Sequence, residues 1–224
     1  MLAKIIPASV RSTIYKSLKT ALYQNRVNIE KAIPVINLQQ KHINNLKAVV
    51  NREELLKLLP KHAVVVELGV DHGEFSEVIL KTTQPKKLHL VDAWGNPERF
   101  HDGLGVMVMD KFKSEIASSQ VEVNVGYSTT IISTFPDNYF DWAYVDTDHS
   151  YSLTSRELNL IKNKMKPGGI IAGHDYAICN WVDDIRYGVI EAVHEFCVKE
   201  NWEMIYLTIE TGSYRSFAIR KLQD

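Results

Sequence analysis

Ala63-Val64-Val65-Val66-Glu67-Leu68-Gly69-Val70-Asp71-His72-Gly73-Glu74 is the stretch on which the fold turns. Its first six residues are a short, mostly β-branched apolar run, the pattern of a strand buried on both faces. Gly69 follows directly, and a glycine there lets the chain turn tightly and lets a ligand approach the backbone. Glu74 to Lys81 (EFSEVILK) then takes helical spacing, and the first turn of that helix offers unpaired N–H groups. The order strand, glycine turn, helix is the opening unit of an α/β sheet.

The same rhythm continues toward the C-terminus. Lys87 to Val91, Val121 to Val125, Asp141 to Val145 and Gly168 to Gly173 read as further strands. Met107 to Ile116, Leu153 to Met165 and Ile185 to Lys199 read as helices, with a short apolar stretch from Thr130 to Phe135. Trp202 to Thr208 and Tyr214 to Arg220 flank the turn residues Thr211-Gly212 and suggest a closing hairpin. The expectation is a Rossmann-like, doubly wound α/β fold over 61–224, with a mostly parallel seven-stranded sheet and a C-terminal antiparallel hairpin.

Toward the N-terminus the character changes. Lys4, Arg11, Lys16, Lys19 and Arg26 all precede the first acid, Glu30, while Pro7 and Pro34 punctuate the segment and Glu53 to Leu59 reads as an amphipathic helix ended by Pro60. Residues 1–60 are therefore expected to form an N-terminal helical extension. A basic, acid-poor segment also suits an organellar presequence, but helices packing on the main domain or on a second subunit, as in a homo-oligomer, account for it better.

Composition narrows the class. The 224 residues are 45% hydrophobic and 24% charged, which excludes disordered and fibrous chains. Lys and Arg number 26 against 27 Asp and Glu, so no global basic field draws the chain to nucleic acid. No apolar run approaches the ~20 residues of a membrane span. Cys179 and Cys197 fit neither a disulfide framework nor a metal-ligand spacing, and the expected setting is a reducing cytoplasm.

Ligands of doubly wound sheets bind at the carboxyl ends of the strands, and the unusual residues of this chain gather there. The spacing Gly69-x-Asp71-x-Gly73, preceded by Glu67, is not the dinucleotide fingerprint G-x-G-x-x-G. An acid facing the ligand disfavours a pyrophosphate and favours a cationic or hydroxyl-bearing group. Asp92 ends the second strand about 20 residues beyond the glycine turn, where a carboxylate accepts two hydrogen bonds from the vicinal diol of a ribose. The competing reading of Asp92 is a helix cap. The fourth and fifth strands end in Asp146, Asp148, His149, His174 and Asp175, and carboxylates converging in one cleft need a cation or a proton between them. A hard ion such as Mg²⁺ suits an oxygen-rich cleft.

Val65 to Gly73, Leu90-Val91-Asp92 and Lys166-Pro167-Gly168-Gly169 together resemble a class I S-adenosylmethionine-dependent methyltransferase, over roughly Lys61 to the C-terminus. Asp146-Thr147-Asp148-His149-Ser150-Tyr151 paired with Gly173-His174-Asp175-Tyr176 is similar to the branch that includes the cephamycin and macrolide-sugar O-methyltransferases. The resemblance implies S-adenosylmethionine as cofactor. It assigns Glu67 to its methionine end, Asp92 to its ribose and Tyr127 and Ser128 to its adenine, and counts Gly69, Asp71, Gly73, Ala93, Trp94 and Asp146 among the cofactor-binding residues. Asp71 stands where the commoner pattern carries a middle glycine. The resemblance also implies a divalent cation, Mg²⁺ or another, on Asp146, Asp175 and His174. Some relatives carry Glu at the position of His174, and His prefers Zn²⁺ or transition metals. The acceptor it implies is a small molecule, a sugar or natural-product hydroxyl.

His149 is the candidate general base, since a neutral imidazole with a pKa near ~6.5 can take a hydroxyl proton as the methyl transfers. A structural, hydrogen-bonded histidine is the alternative. His72, Asp183, Asp184 and Arg186 divide between the site and capping, and Trp94, Tyr151, Tyr176 and Trp181 between a ligand-stacking rim and core packing. His101 to Gly105 reads as a loop over the cofactor. Two other classes remain open at this level. One is an NAD-dependent oxidoreductase on the same fold, disfavoured by the missing fingerprint. The other is a catalytically inactive, methyltransferase-like binding or scaffold domain, disfavoured by the intact cofactor loop.

Overall fold

The aliphatic runs that read as strands pair into one sheet in the computed structural model, which describes residues 7–94, 103–212 and 214–223. In chain order the strands are β1 (Lys47–Val49), β2 (Val64–Leu68), β3 (Lys87–Asp92), β4 (Val121–Val125), β5 (Phe140–Val145) and β6 (Met165–Gly173). They continue with β7 (Cys179–Asn180), β8 (Ile185–Arg186), β9 (Trp202–Thr208) and β10 (Phe217–Lys221). Eight of them form a sheet of order β1-β9-β10-β6-β5-β2-β3-β4, and β7 and β8 pair as a separate small hairpin. The pairs β2/β3, β3/β4, β2/β5 and β5/β6 are parallel, whereas β10 runs antiparallel to both β6 and β9. This is the doubly wound, Rossmann-like arrangement with a C-terminal antiparallel pair.

Period-two alternation sorts the strand residues onto two faces. Val66, Leu68, Ala143 and Val145 join one core, with Leu158 of α7 (Tyr151–Ile161) and Phe196 of α8 (Val189–Glu200). Val65, Leu90, Trp142 and Tyr144 join the other, with Leu55 of α2 (Arg52–Leu58) and Ile79 of α3 (Glu74–Thr83). Both faces are therefore covered, which is why β2 and β5 read as continuous apolar runs rather than alternating ones.

The structure departs from expectation at several places. An eighth strand, β1, lies within the segment expected to be a helical extension and pairs in parallel with β9, Lys47 opposite Tyr206 and Val49 opposite Thr208. Three residues are too few for alternation to announce a strand. The helix expected from Met107 to Ile116 is two helices, α4 (Leu104–Lys111) and α5 (Lys113–Ala117), broken at the buried Phe112. The apolar stretch near Thr130 is helix α6 (Ser128–Thr134). The helix expected from Ile185 starts four residues later, because β8 occupies Ile185–Arg186. His101 and Asp102 of the expected cofactor loop lie outside the described residues, while Gly103 caps α4.

The chain divides into two compact units, Met1–Val35 and Ile36–Asp224. The first contains α1 (Ala8–Ala32), along which Ile14, Leu18, Leu22 and Ile29 are exposed. The second contains the whole sheet, β1 and α2 included. Among the described residues no helix is long and apolar enough to cross a membrane. Cys179 and Cys197 are free thiols.

Candidate active site

The chain order reverses between β2 and β5, and the ends of β2, β3, β5 and β6 are tied to one another at the same level. Gly69 N–H donates to Val91 C=O (2.9 Å), Asp146 N–H to Leu68 C=O (2.8 Å) and His174 N–H to Val145 C=O (3.0 Å). Their loops therefore leave the sheet together, at its topological switch point, where such sheets bind ligands.

Gly69 has φ +85°, and a Cβ on it would fall 1.8 Å from the carbonyl oxygen of Asp146. Only glycine lets these two strand ends cross so closely. Asp71 takes φ 51°, the left-handed conformation that glycine occupies in the commoner pattern and that Asp tolerates better than most residues. Asp92 then fastens the turn: its Oδ2 accepts from the backbone N–H groups of Val70 (2.8 Å) and Asp71 (3.0 Å), and its Oδ1 from that of Trp94 (2.9 Å). The capping and the ligand readings of Asp92 are thus compatible. Three amides hold it in place, two on Oδ2 and one on Oδ1, and Oδ1 keeps a second lone pair for the cleft.

A cleft of about 690 Å³ opens over these strand ends. Of the residues expected to bind cofactor, Glu67, Gly69, Asp71, Asp92 and Ala93 line one part of it, and Tyr127, Ser128 and Asp146 another. Gly73 and Trp94 are not in its wall. Gly73 caps α3 against the ring of Phe112, and the Trp94 indole Nε1–H donates to the Asp71 carbonyl (2.9 Å), clamping the turn from outside. The Ser128 hydroxyl lines the cleft but donates to Glu157 Oε1 (2.5 Å), whose other oxygen accepts from Thr147 Oγ1 (2.8 Å).

Burial raises the carboxyl of one cleft acid and of the neighbouring Glu157. Burial pushes the Glu67 carboxyl up to about 8, against the opposing hydrogen bond from Ser76 Oγ (2.5 Å). Burial likewise raises Glu157 to about 7, despite its two hydroxyl donors.

His149, at φ 64°, lies in the same cleft and bridges two carboxylates. Its Nε2 is 2.8 Å from Asp175 Oδ2 and 3.3 Å from Asp146 Oδ1. Burial alone would lower the imidazole pKa, but hydrogen bonds to Asp146 and Asp175 and their charges outweigh it and raise the pKa to about 9. Burial would raise the Asp175 carboxyl, and the His149 and His174 imidazoles reverse this to a strong lowering. Ligand atoms of Asp146, His149 and Asp175 lie within 4.8 Å of one another, close enough to hold one cation. His174, expected as the third ligand, is not in this group. It is buried, and its Nδ1 accepts the Asp175 backbone N–H (2.6 Å), which removes that lone pair from any ion. His149 stands at the corner expected of His174.

Sequence reasoning missed Arg52 and Phe75, which also line the cleft. Arg52 opens α2, where Asn51 caps the helix by accepting the Glu54 N–H (2.9 Å), and its guanidinium sits 4.5 Å from the centre of the Phe75 ring. The Asn51-x-x-Glu54 start was a readable capping signal, but nothing in the sequence placed that helix beside the glycine turn. Of the aromatic residues that divided between rim and core, Tyr151 donates to Glu195 Oε2 (2.7 Å) and Tyr176 bonds His194 (2.5 Å), whereas Trp181 is exposed.

Residues 66–176, about half of the chain, match the family described as a methyltransferase domain. The fold is shared with a SAM-dependent methyltransferase from Aquifex aeolicus, at 18% identity and a TM-score of 0.54 over 86% of this chain and 95% of that one. It is shared with the pyocyanin biosynthetic protein PhzM at 15% identity and a TM-score of 0.58, covering 76% of this chain but only 54% of that protein. The B. subtilis tRNA methyltransferase TrmK aligns at 15% identity and a TM-score of 0.55, over 79% of this chain and 67% of that one. Among curated proteins no sequence matches the chain significantly. The glycine turn, the acid at Asp92 and the matched span converge, and the chain belongs to the class I S-adenosylmethionine-dependent methyltransferases.

Proposed function

We propose that the chain methylates a hydroxyl oxygen of a small molecule, a sugar or natural-product alcohol, with His149 as the proton acceptor. The observation that carries this reading is the His149 imidazole held by Asp146 and Asp175 in the wall of the cleft that also contains Glu67 and Asp92.

The donor set fits the cofactor. Asp92 presents Oδ1 to a ribose hydroxyl, Glu67 and Asp146 offer carboxyl groups to an ammonium and a sulfonium, and Ala93 and Tyr127 form apolar walls for a base. When bound, S-adenosylmethionine supplies a methyl group activated by its sulfonium, so the protein's work is alignment, exclusion of water and removal of one proton. With Nε2–H committed to the two carboxylates, His149 Nδ1 is the nitrogen that receives that proton. The flanking carboxylates make this imidazole a stronger base than a free one and leave its neutral form in the minority at pH 7. Asp175 is the positioning residue that orients it.

A second reading is favoured by the convergence of Asp146, His149 and Asp175. In that reading Asp146, His149 and Asp175 would hold a divalent cation, which would supply the neutralising charge in place of the imidazolium proton and would lower the pKa of the acceptor hydroxyl. Two carboxylates and one imidazole suit Mn²⁺, Fe²⁺ or Zn²⁺ better than Mg²⁺. An RNA acceptor is disfavoured in either case, because a cleft lined by Asp71, Glu74, Asp92 and Asp148 repels phosphodiesters.

The test is incubation with methyl-labelled S-adenosylmethionine and a panel of hydroxylated small molecules, with transfer RNA alongside, in chelator and then in Mn²⁺. Label is expected in a hydroxylated small molecule and lost in His149→Ala. Label in RNA, or transfer indifferent to His149→Ala, contradicts the proposal.

A further inference from the structure

The cofactor's methionine portion carries a carboxylate as well as an ammonium, and the cleft is built almost wholly of groups that repel it. Asp71, Glu74, Asp92, Asp146 and Asp148 all line it, beside the buried Glu67. Among the described lining residues, one Arg or Lys faces these acids: Arg52.

Several observations set this arginine apart from an ordinary surface cation. It is half-buried, at the first position of α2, with its guanidinium 4.5 Å from the centre of the Phe75 ring. Phe75 in turn packs on the fully buried Tyr144, with ring centres 4.5 Å apart. The ring holds the guanidinium in place without consuming any of its N–H donors. Tyr144 stands opposite Glu67 in the β2/β5 register, so the stack and its arginine belong to the Glu67 end of the cleft. Among the described residues no carboxylate forms an ion pair with it. An arginine surrounded by acids yet paired with none is poised for an external anion, and a planar fork matches a carboxylate in two parallel hydrogen bonds.

We propose that Arg52 anchors the carboxylate of the cofactor's methionine portion, setting which end of the cleft that portion occupies. This rests on the cofactor assignment made above. It also gives a reason for α2, outside the residues matched by the family, to belong to the sheet-containing unit: the helix delivers the one cation that the strand ends lack.

The test is calorimetric titration of the full chain with S-adenosylhomocysteine and with 5′-methylthioadenosine, which lacks the amino-acid portion. In Arg52→Gln the first ligand should bind about 10- to 100-fold more weakly and the second within about twofold of wild type. Arg52→Lys should show a smaller selective loss of roughly 3- to 10-fold, since it keeps the charge without the fork, and it carries the test if the Gln variant does not fold. Unchanged homocysteine-ligand affinity in a folded variant, or equal losses for both ligands, overturns the proposal. Failure of the wild-type protein to bind S-adenosylhomocysteine at all overturns the cofactor assignment instead, and the proposal with it.

Discussion

At the ends of β2 and β3 the site is held by backbone: Gly69 crosses the Asp146 carbonyl, and three amides fasten Asp92. At the ends of β5 and β6 it is held by charge, His149 bridging Asp146 and Asp175. The geometry of the first half follows from φ angles and amide positions. The second half is defined by which positive species, a proton or a cation, sits between two acids. A methyltransferase with a constant cofactor and a variable acceptor is well served by that division.

The sharpest way to break the comparison is Gly69→Ala. A Cβ 1.8 Å from backbone, on a residue at φ +85°, cannot be relieved by a side-chain rotation, so folding should be lost or weakened by more than ~3 kcal/mol, read by thermal or urea unfolding. The charge-held half should respond in the opposite way. His149→Ala should still fold, at a measurable loss of stability because Asp146 and the buried Asp175 are left without a positive charge between them, while lowering the methyl-transfer rate about 10²- to 10⁴-fold, the usual contribution of a positioned base. A collapse of folding in that variant would show the two halves to be structurally alike.

A smaller effect separates Glu67 from its neighbours. Its carboxyl titrates near 8 in the folded chain against an ordinary value of 4.5, so the unfolded state releases its proton first as pH rises. Stability contributed by the neutral, buried acid is then full below about 4.5 and lost progressively up to about 8. Glu67→Gln should flatten that limb and be the more stable protein at pH 9 by on the order of 2 kcal/mol, with the gap closing at pH 5. Parallel pH profiles for the two proteins would place a charged Glu67 in the folded state.

What the sequence disclosed follows the same division. Gly69, Asp92 and the apolar runs of β2 and β5 are legible because backbone constraint and two-sided burial leave direct marks on residue type. The convergence of acids at Asp146 and Asp175 was legible too, since strand ends meet at the switch point. Which histidine completes it was not. His149 and His174 are equivalent as letters, and the choice depends on the Asp175 backbone N–H that occupies His174 Nδ1. Trp94 and Ser128 fall at expected positions, yet their polar atoms are spent on Asp71 and Glu157, partners distant in sequence. β1 is too short to show a period, and Arg52 reaches the cleft only through the packing of α2, which no local pattern records.

The central claim is that one cleft, at the ends of β2, β3 and β5, holds the cofactor through Asp92. The most direct measurement is calorimetric titration of the chain with S-adenosylhomocysteine, repeated on Asp92→Ala and His149→Ala. The account predicts a single site in the wild type, weakened at least about tenfold in Asp92→Ala and essentially unchanged in His149→Ala. Wild-type affinity retained in a folded Asp92→Ala variant would contradict it.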